Sequence, residues 1–230
     1  MRAHPQIAID GRAGVGKSTI GEGLARRLGF LYVDTGAFYR ALTHAALARG
    51  LSPDDALALI ALARALDIRI IPPTVDDGRQ YTVLLDGRDI TRELRTPAVE
   101  AAVSRVSRHD PVRAALIERI RQLAGAQSVV MVGRDIGAIV LPGADLKVFL
   151  KTSIAARAQR RHADLVAAYG DRAPALATVH DEIERRDAID APHTFIAPDA
   201  VTIDNTDLEA ADVIAEIIRL LRERGWEAPQ

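Results

Sequence analysis

The segment from Gly11 to Ser18 restricts the possible folds of this chain more than any other feature. It reads Gly-Arg-Ala-Gly-Val-Gly-Lys-Ser and matches the phosphate-loop pattern GxxxxGK[ST] without a gap. A short candidate for a buried strand, Gln6 to Asp10, precedes it and an amphipathic stretch from Lys17 to Leu28 follows it, which predicts a strand, a loop and a helix. A plain glycine-rich turn is the alternative, but this flanking order favours a loop whose N–H groups bind phosphate.

The loop predicts that the chain binds a nucleotide, and it indicates how individual loop residues contribute. Lys17 is expected to bridge the β- and γ-phosphates of ATP, and the Ser18 hydroxyl is expected to reach Mg²⁺. Thr19 supports the loop by packing or by a polar contact. The predicted ATP-binding residues are Gly11, Arg12, Ala13, Gly14, Val15, Gly16, Lys17, Ser18 and Thr19.

A phosphate loop does not define a reaction, so GTPases, motor-type ATPases and small-molecule kinases all use it. The sequence contains no Asn-Lys-x-Asp segment that would read guanine. Its 230 residues are short for a motor. A small-molecule kinase is therefore the leading interpretation.

Alternating strands and helices predict a doubly wound α/β fold with a parallel sheet. Five core strands are expected near Ile7, Leu31, Val130, Val148 and Thr202. Residues 68–71 and 81–85 flank a turn region and predict a small antiparallel β insert, which we place at about 66–97. An arginine-rich helical tract runs from Ser153 to Asp187, with a break at Tyr169-Gly170. We predict one domain over residues 1–230.

Composition limits the choice of partners. The net charge is −1, hydrophobic residues make up 48% of the chain, and cysteine is absent, so nucleic acid, an anionic membrane and thiolate chemistry are not expected. No apolar stretch approaches the ~20 residues that span a bilayer, and we expect a cytoplasmic protein. Arginine supplies 27 of the 30 basic residues, so an arginine is informative only within a motif.

Further motifs follow the phosphate loop, and together with it they closely resemble the bacterial cytidylate kinases. The resemblance extends from about Ile7 to about Asp204, and five separate motifs in the same order carry it. They are Asp34-Thr-Gly-Ala-Phe-Tyr39-Arg40, Asp86-Gly-Arg-Asp-Ile-Thr91 with Glu93-Leu-Arg-Thr-Pro97, Gly133-Arg134-Asp135-Ile-Gly137 with Ala144-Asp145-Leu-Lys-Val-Phe-Leu150, Arg157-x-x-Arg160-Arg161, and Arg186-Asp187-x-x-Asp190.

The resemblance implies transfer of the γ-phosphoryl group of ATP to CMP or dCMP, with Mg²⁺ on the donor phosphates. It also implies that the tract at about 154–190 is a helical lid. A kinase for another small acceptor such as UMP is the main enzymatic alternative, and a nucleotide-binding switch without turnover is an alternative from another class. We expect a monomer, and the choice between CMP and dCMP stays open.

The resemblance also assigns acceptor residues. Arg40 and Arg134 hold the acceptor phosphate, with Thr35 and Tyr39 beside Arg40. Asp135 accepts a hydrogen bond from the exocyclic amine of cytosine, whereas uracil would place an oxygen against this carboxylate. Ser104 and Arg113 complete the base and sugar pocket, and Arg186 with Asp190 binds the sugar. The structural alternatives are a capping threonine, surface arginines, a plain ion pair and ordinary helix residues.

Arg157, Arg160 and Arg161 share one face of a predicted helix, at positions i, i+3 and i+4. Three like charges repel one another unless an anion neutralises them. By resemblance these arginines act on the transferring phosphoryl group, and a solvated helix face is the alternative.

Two positions depart from the family pattern. Arg12 stands where proline is usual, and we expect it to change the stiffness of the loop and little else, because this position contributes backbone rather than side chain. His193 stands where the family usually has a phosphate-binding arginine. Either His193 has taken over that contact, or the shortened loop carries it into solvent and Arg40 and Arg134 hold the phosphate alone.

Overall fold

The computed structural model describes residues 4–226 and divides into two compact units. The P-loop unit consists of the residues up to Gly29 together with those from Val130 onward. The insert unit is Phe30–Val129. The prediction of one domain over residues 1–230 stays a prediction.

The strands are β1 (Gln6–Gly11), β2 (Leu31–Asp34), β3 (Ile68–Ile71), β4 (Thr82–Leu85), β5 (Arg88–Asp89), β6 (Val129–Gly133), β7 (Leu146–Lys151) and β8 (Val201–Asp204). The helices are α1 (Lys17–Leu28), α2 (Gly36–Ala48), α3 (Ala56–Ala65), α4 (Pro97–Ser107), α5 (Asp110–Ala126), α6 (Ile154–Tyr169), α7 (Leu176–Asp190) and α8 (Ala210–Glu223).

Five strands form one parallel sheet in the order β2-β6-β1-β7-β8. Ile9 of β1 lies opposite Val148 of β7, which lies opposite Val201 of β8. Residues 7–9 are fully buried, which is typical of a parallel strand covered on both faces. The predicted doubly wound α/β fold with five core strands is confirmed.

The predicted antiparallel insert is a three-stranded sheet in the order β3-β4-β5. Strand β5 was not predicted, since it spans only two residues. Leu85 pairs with Arg88, so Asp86 and Gly87 form a two-residue hairpin loop. Both have positive φ, 50° and 82°, as a type I′ turn requires, and an Asp-Gly pair is the usual sequence for that turn.

The arginine-rich tract forms a helical hairpin, and the break predicted at Tyr169-Gly170 is confirmed because α6 ends at Tyr169. The Ser153 hydroxyl accepts a hydrogen bond from the Ala156 N–H and caps the start of α6. Helices α6 and α7 pack through Ala158, Val179 and Ile183. Within residues 4–226, no helix is both long enough and apolar enough to cross a membrane.

Candidate active site

The phosphate loop joins β1 directly to α1, as predicted. Gly16 takes the left-handed conformation that glycine tolerates, with φ of 89°. The Lys17 ammonium donates hydrogen bonds to the carbonyls of Gly11 and Arg12, at 2.7 and 2.6 Å. Ser18 and Thr19 are exposed in the first turn of α1. The loop therefore combines the positive end of a helix with an ammonium group, which suits a polyphosphate.

Distant residues of the same unit hold the loop by its carbonyls. Arg157 donates to the Ala13 carbonyl and Asn205 donates to the Val15 carbonyl, each at 2.9 Å. Thr152 donates to the Asn205 side-chain oxygen at 2.6 Å. Asn205 was not among the predicted site residues, because it lies just beyond β8 in no recognisable motif.

The three arginines of α6 that were predicted to act together lie in different surroundings. Arg157 is only 1% exposed and forms a two-pronged ion pair with Asp187, with N–O distances of 3.0 and 2.6 Å. Arg160 donates to the carbonyls of Asn205 and Thr206. Arg161 is exposed on α6. Their shared role in phosphoryl transfer stays a prediction.

The expectation that Arg12 contributes only backbone was wrong. Its guanidinium lies 3.0 Å from an oxygen of Asp187 on α7. Burial raises the pKa of Asp187, but the hydrogen bonds and charges of Arg157 and Arg12 outweigh this and hold the pKa below its ordinary value. The Arg12 side chain therefore joins the phosphate loop to the helical hairpin, a long-range contact that a local motif does not reveal.

Several residues that the resemblance assigns to acceptor binding lie in the P-loop unit, directly after β6 and near the end of α7. Arg134 forms an ion pair with Asp190 at 2.5 Å, and Arg186 lies 3.9 Å from the same oxygen. Asp135 is nearly buried. The structure thus brings Arg134, Arg186 and Asp190 together. His193 is half-buried in a short turn after α7, and its contact with phosphate stays a prediction.

Asp10 was not among the predicted site residues, and it directly precedes Gly11, the last residue of β1. Its two carboxylate oxygens accept hydrogen bonds from the backbone N–H groups of Ile136 and Gly137, each at 2.7 Å. Burial raises the pKa of Asp10 to about 6 and the Asp135 charge adds to this, while the two N–H donors and Lys17 oppose it. A carboxylate directly after the apolar residues 7–9 marks Asp10 as unusual in the sequence, but it does not indicate which residues the carboxylate contacts.

In the insert unit, Thr35 and Tyr39 are buried at the start of α2. The Arg113 guanidinium lies over the Tyr39 ring, 5.5 Å from its centre, which is a cation–π contact. Ser104 is exposed on α4. Arg113 therefore contacts Tyr39, and the roles of these residues in an acceptor pocket stay predictions.

Arg40 belongs to a group of charged and polar side chains that we call the Arg40 cluster, namely Asp34, Arg40, Tyr81, Arg95 and Glu100. The Arg40 Nε donates to Glu100 at 3.0 Å, and one terminal nitrogen lies 3.9 Å from Asp34. Burial lowers the pKa of Arg40, but Asp34 and Glu100 outweigh it and raise the pKa above its ordinary value. Arg40, Tyr81 and Arg95 also line a pocket of about 190 Å³, so the cluster borders an accessible cavity.

A phosphate loop on a parallel sheet, connected to an arginine-bearing helical hairpin, defines the class of P-loop nucleotide-binding proteins. A solved structure of an uncharacterized protein from Eubacterium ventriosum shares this fold, with a TM-score of 0.50, 13% identity and coverage of 96% of this chain and 99% of that chain.

The family is shown by sequence. The cytidylate kinase family model matches residues 7–223. A cytidylate kinase of Roseiflexus castenholzii is 47% identical over 97% of this chain and 96% of its own length. One from Chloroflexus aggregans is 48% identical over 95% of this chain and 94% of its own length. The chain belongs to the cytidylate kinase family, and the resemblance found in its motifs is confirmed.

Proposed function

We infer that this protein transfers the γ-phosphoryl group of ATP to CMP or dCMP, giving ADP and CDP or dCDP. The family match over residues 7–223 carries this conclusion. An oxygen of the acceptor phosphate bonds to the γ-phosphorus, and the bond from that phosphorus to the oxygen of the β-phosphate breaks. No covalent enzyme intermediate is needed, because positioning and charge neutralisation suffice for a loose transition state.

We assign the donor to the phosphate loop. The N–H groups at the start of α1 and the Lys17 ammonium bind the β- and γ-phosphates. Among the lid residues, Arg161 is exposed and available to a ligand, whereas the Arg157 guanidinium is already bound to Asp187 and Ala13. We therefore propose that Arg157 supports the loop and that Arg160 and Arg161 neutralise the developing charge.

Magnesium fits the oxygen donors of the loop. The Ser18 hydroxyl is exposed directly after Lys17, and Mg²⁺ prefers oxygen ligands while keeping several waters. When bound, the ion would neutralise charge on the donor phosphates. Ser18 is the residue that we assign to it.

For the acceptor, we propose phosphate binding by Arg40 and Arg134, with Thr35 and Tyr39 beside Arg40. We propose that the contacts to base and sugar come from Ser104, Arg113, Arg186 and Asp190. Asp135 accepts from the cytosine amine, and UMP is disfavoured because its carbonyl oxygen would face a carboxylate. We further propose a monomer that acts in the cytoplasm, without nucleic acid or membrane partners.

An ADP-release assay with CMP, dCMP, UMP, AMP and GMP tests this function. We expect rapid ADP release with CMP or dCMP, and kcat/KM for UMP lower by about 10²-fold or more. A UMP kinase would reverse this order. A nucleotide-binding switch would bind ATP but release no ADP with any of the five acceptors.

A further inference from the structure

The carboxylate of Asp10 has no part in the mechanism above, although burying a charge is costly. Its side chain is 3% exposed in the centre of the sheet. Both of its oxygens accept hydrogen bonds, one from the Ile136 N–H and the other from the Gly137 N–H. These donors belong to the two residues that directly follow Asp135, the residue that we assign to the cytosine base.

A carboxylate suits this place for a chemical reason. Two adjacent N–H groups point at one side chain, and each needs its own acceptor. An ionised aspartate supplies two acceptor oxygens, whereas asparagine supplies one oxygen and an NH₂ group that would face the second donor. Hydrogen bonds from an N–H to an ionised acceptor are also stronger than neutral ones. Asp10 therefore fixes both peptide groups at once.

The segment that Asp10 holds is a single π-helical turn, Ile136–Val140. The Asp135 carbonyl accepts from the N–H groups of Ile139 and Val140, at 2.8 and 3.2 Å. Gly137 also lies close to the Lys147 side chain, because a Cβ atom added at Gly137 would come within 3.1 Å of it. The turn is thus held between the Asp10 oxygens and the Lys147 stem, and it sets the backbone from which Asp135 projects.

We propose that Asp10 is a positioning residue for acceptor recognition, which fixes the turn after Asp135 so that the Asp135 carboxylate meets the base of CMP. This inference rests on the proposed function. The charged groups that act on Asp10 are Asp135, which repels it, and Lys17, which attracts it. The nearby Lys147 ammonium is bound to Asp199 and to the Pro142 carbonyl.

The test is Asp10→Asn in the full chain, assayed at saturating ATP with CMP and with UMP. One backbone N–H loses its acceptor, and we expect the KM for CMP to rise about tenfold. The ratio of kcat/KM for CMP over UMP should fall, in the same direction as in Asp135→Ala. The KM for ATP should stay within about twofold of the wild-type value, because the loop atoms that bind phosphate are unchanged.

Asp145→Asn is the matched control. The Asp145 carboxylate also accepts from a backbone N–H, that of Gln6 at 2.9 Å, but at the opposite end of β1. The Asp145→Asn variant should change neither the KM for CMP nor the ratio of kcat/KM for CMP over UMP.

A stability measurement separates positioning from a general loss of structure. The pKa of Asp10 is raised in the folded state to about 6 from 3.8. The stability that this group contributes is therefore greatest when it is protonated and falls as pH rises through about 6. At pH 7.5 the Asp10→Asn variant avoids the cost of burying a charge but loses one hydrogen bond. We expect the Tm of Asp10→Asn to lie within about 3 °C of wild type.

The inference is overturned if the folded Asp10→Asn variant keeps both the wild-type KM for CMP and the wild-type ratio of kcat/KM for CMP over UMP. If that variant does not fold, Gly137→Ala disturbs the same turn from the Lys147 side, and the same two readouts decide. Failure of the proposed function looks different, because the wild-type protein would then show no CMP-dependent ADP release.

Discussion

The phosphate loop and the Arg40 cluster both contain cations that we propose to bind phosphate, but the chain holds them in different ways. In the loop, Lys17, Arg157 and Asn205 donate to backbone carbonyls. In the cluster, the carboxylates of Asp34 and Glu100 hold Arg40. The phosphate loop is held through its backbone and therefore depends on chain conformation, whereas the Arg40 cluster depends on individual charged side chains. Mutations should therefore affect the two regions to different extents.

The largest effect is expected at Lys17, whose ammonium contacts the carbonyls of the loop and lies outside the hydrophobic core. Lys17→Ala should lower kcat/KM by about 10³-fold or more, because the ammonium stabilises charge on the transferring phosphates. The Tm should change little, since Lys17 lies on the loop rather than in the core. Lys151→Ala is the matched control, because Lys151 is exposed at the end of β7. Normal turnover by Lys17→Ala would contradict the assignment of the phosphate loop.

The support of the loop is tested by Arg157→Ala. Removing one partner of a buried ion pair leaves Asp187 less compensated and should cost about 3 kcal/mol of unfolding free energy. Exposed Arg161→Ala is the control and should cost less than about 0.5 kcal/mol while still lowering kcat. Urea denaturation and steady-state kinetics measure the two properties. Wild-type stability in Arg157→Ala would show that the pair does not hold the loop.

The Arg40 cluster should respond more weakly. Glu100 is partly exposed, so Glu100→Ala should raise the KM for CMP about threefold by releasing the Arg40 guanidinium. Glu100→Gln keeps an acceptor oxygen for the Arg40 Nε and should stay closer to wild type, with kcat unchanged in both variants. A lower KM in Glu100→Ala would mean instead that Glu100 competes with the acceptor phosphate.

The two regions also differ in what the sequence could predict. The boundaries of α1 and the place of Lys17 follow from a contiguous motif, because local chain geometry forms the phosphate site. The five-stranded sheet followed from periodicity. Asn205 and Asp10 could not be assigned in this way, since each acts on residues far along the chain. Their roles depend on which strands become neighbours, and that is a property of the tertiary structure.

The smallest effect is expected at Arg12, a position at which the sequence predicted no contribution from the side chain. Arg12 is 52% exposed and its partner Asp187 is 7% exposed, so the pair is partly screened by solvent. Arg12→Ala should cost about 0.5–1 kcal/mol of unfolding free energy, and the cost should shrink in 1 M salt because the Debye length falls to about 3 Å. A double-mutant cycle with Asp187→Asn isolates this coupling from the pair with Arg157. A coupling energy of zero would mean that Arg12 affects the loop through its backbone alone, whereas a measurable coupling would identify the Arg12 side chain as a link between the phosphate loop and α7.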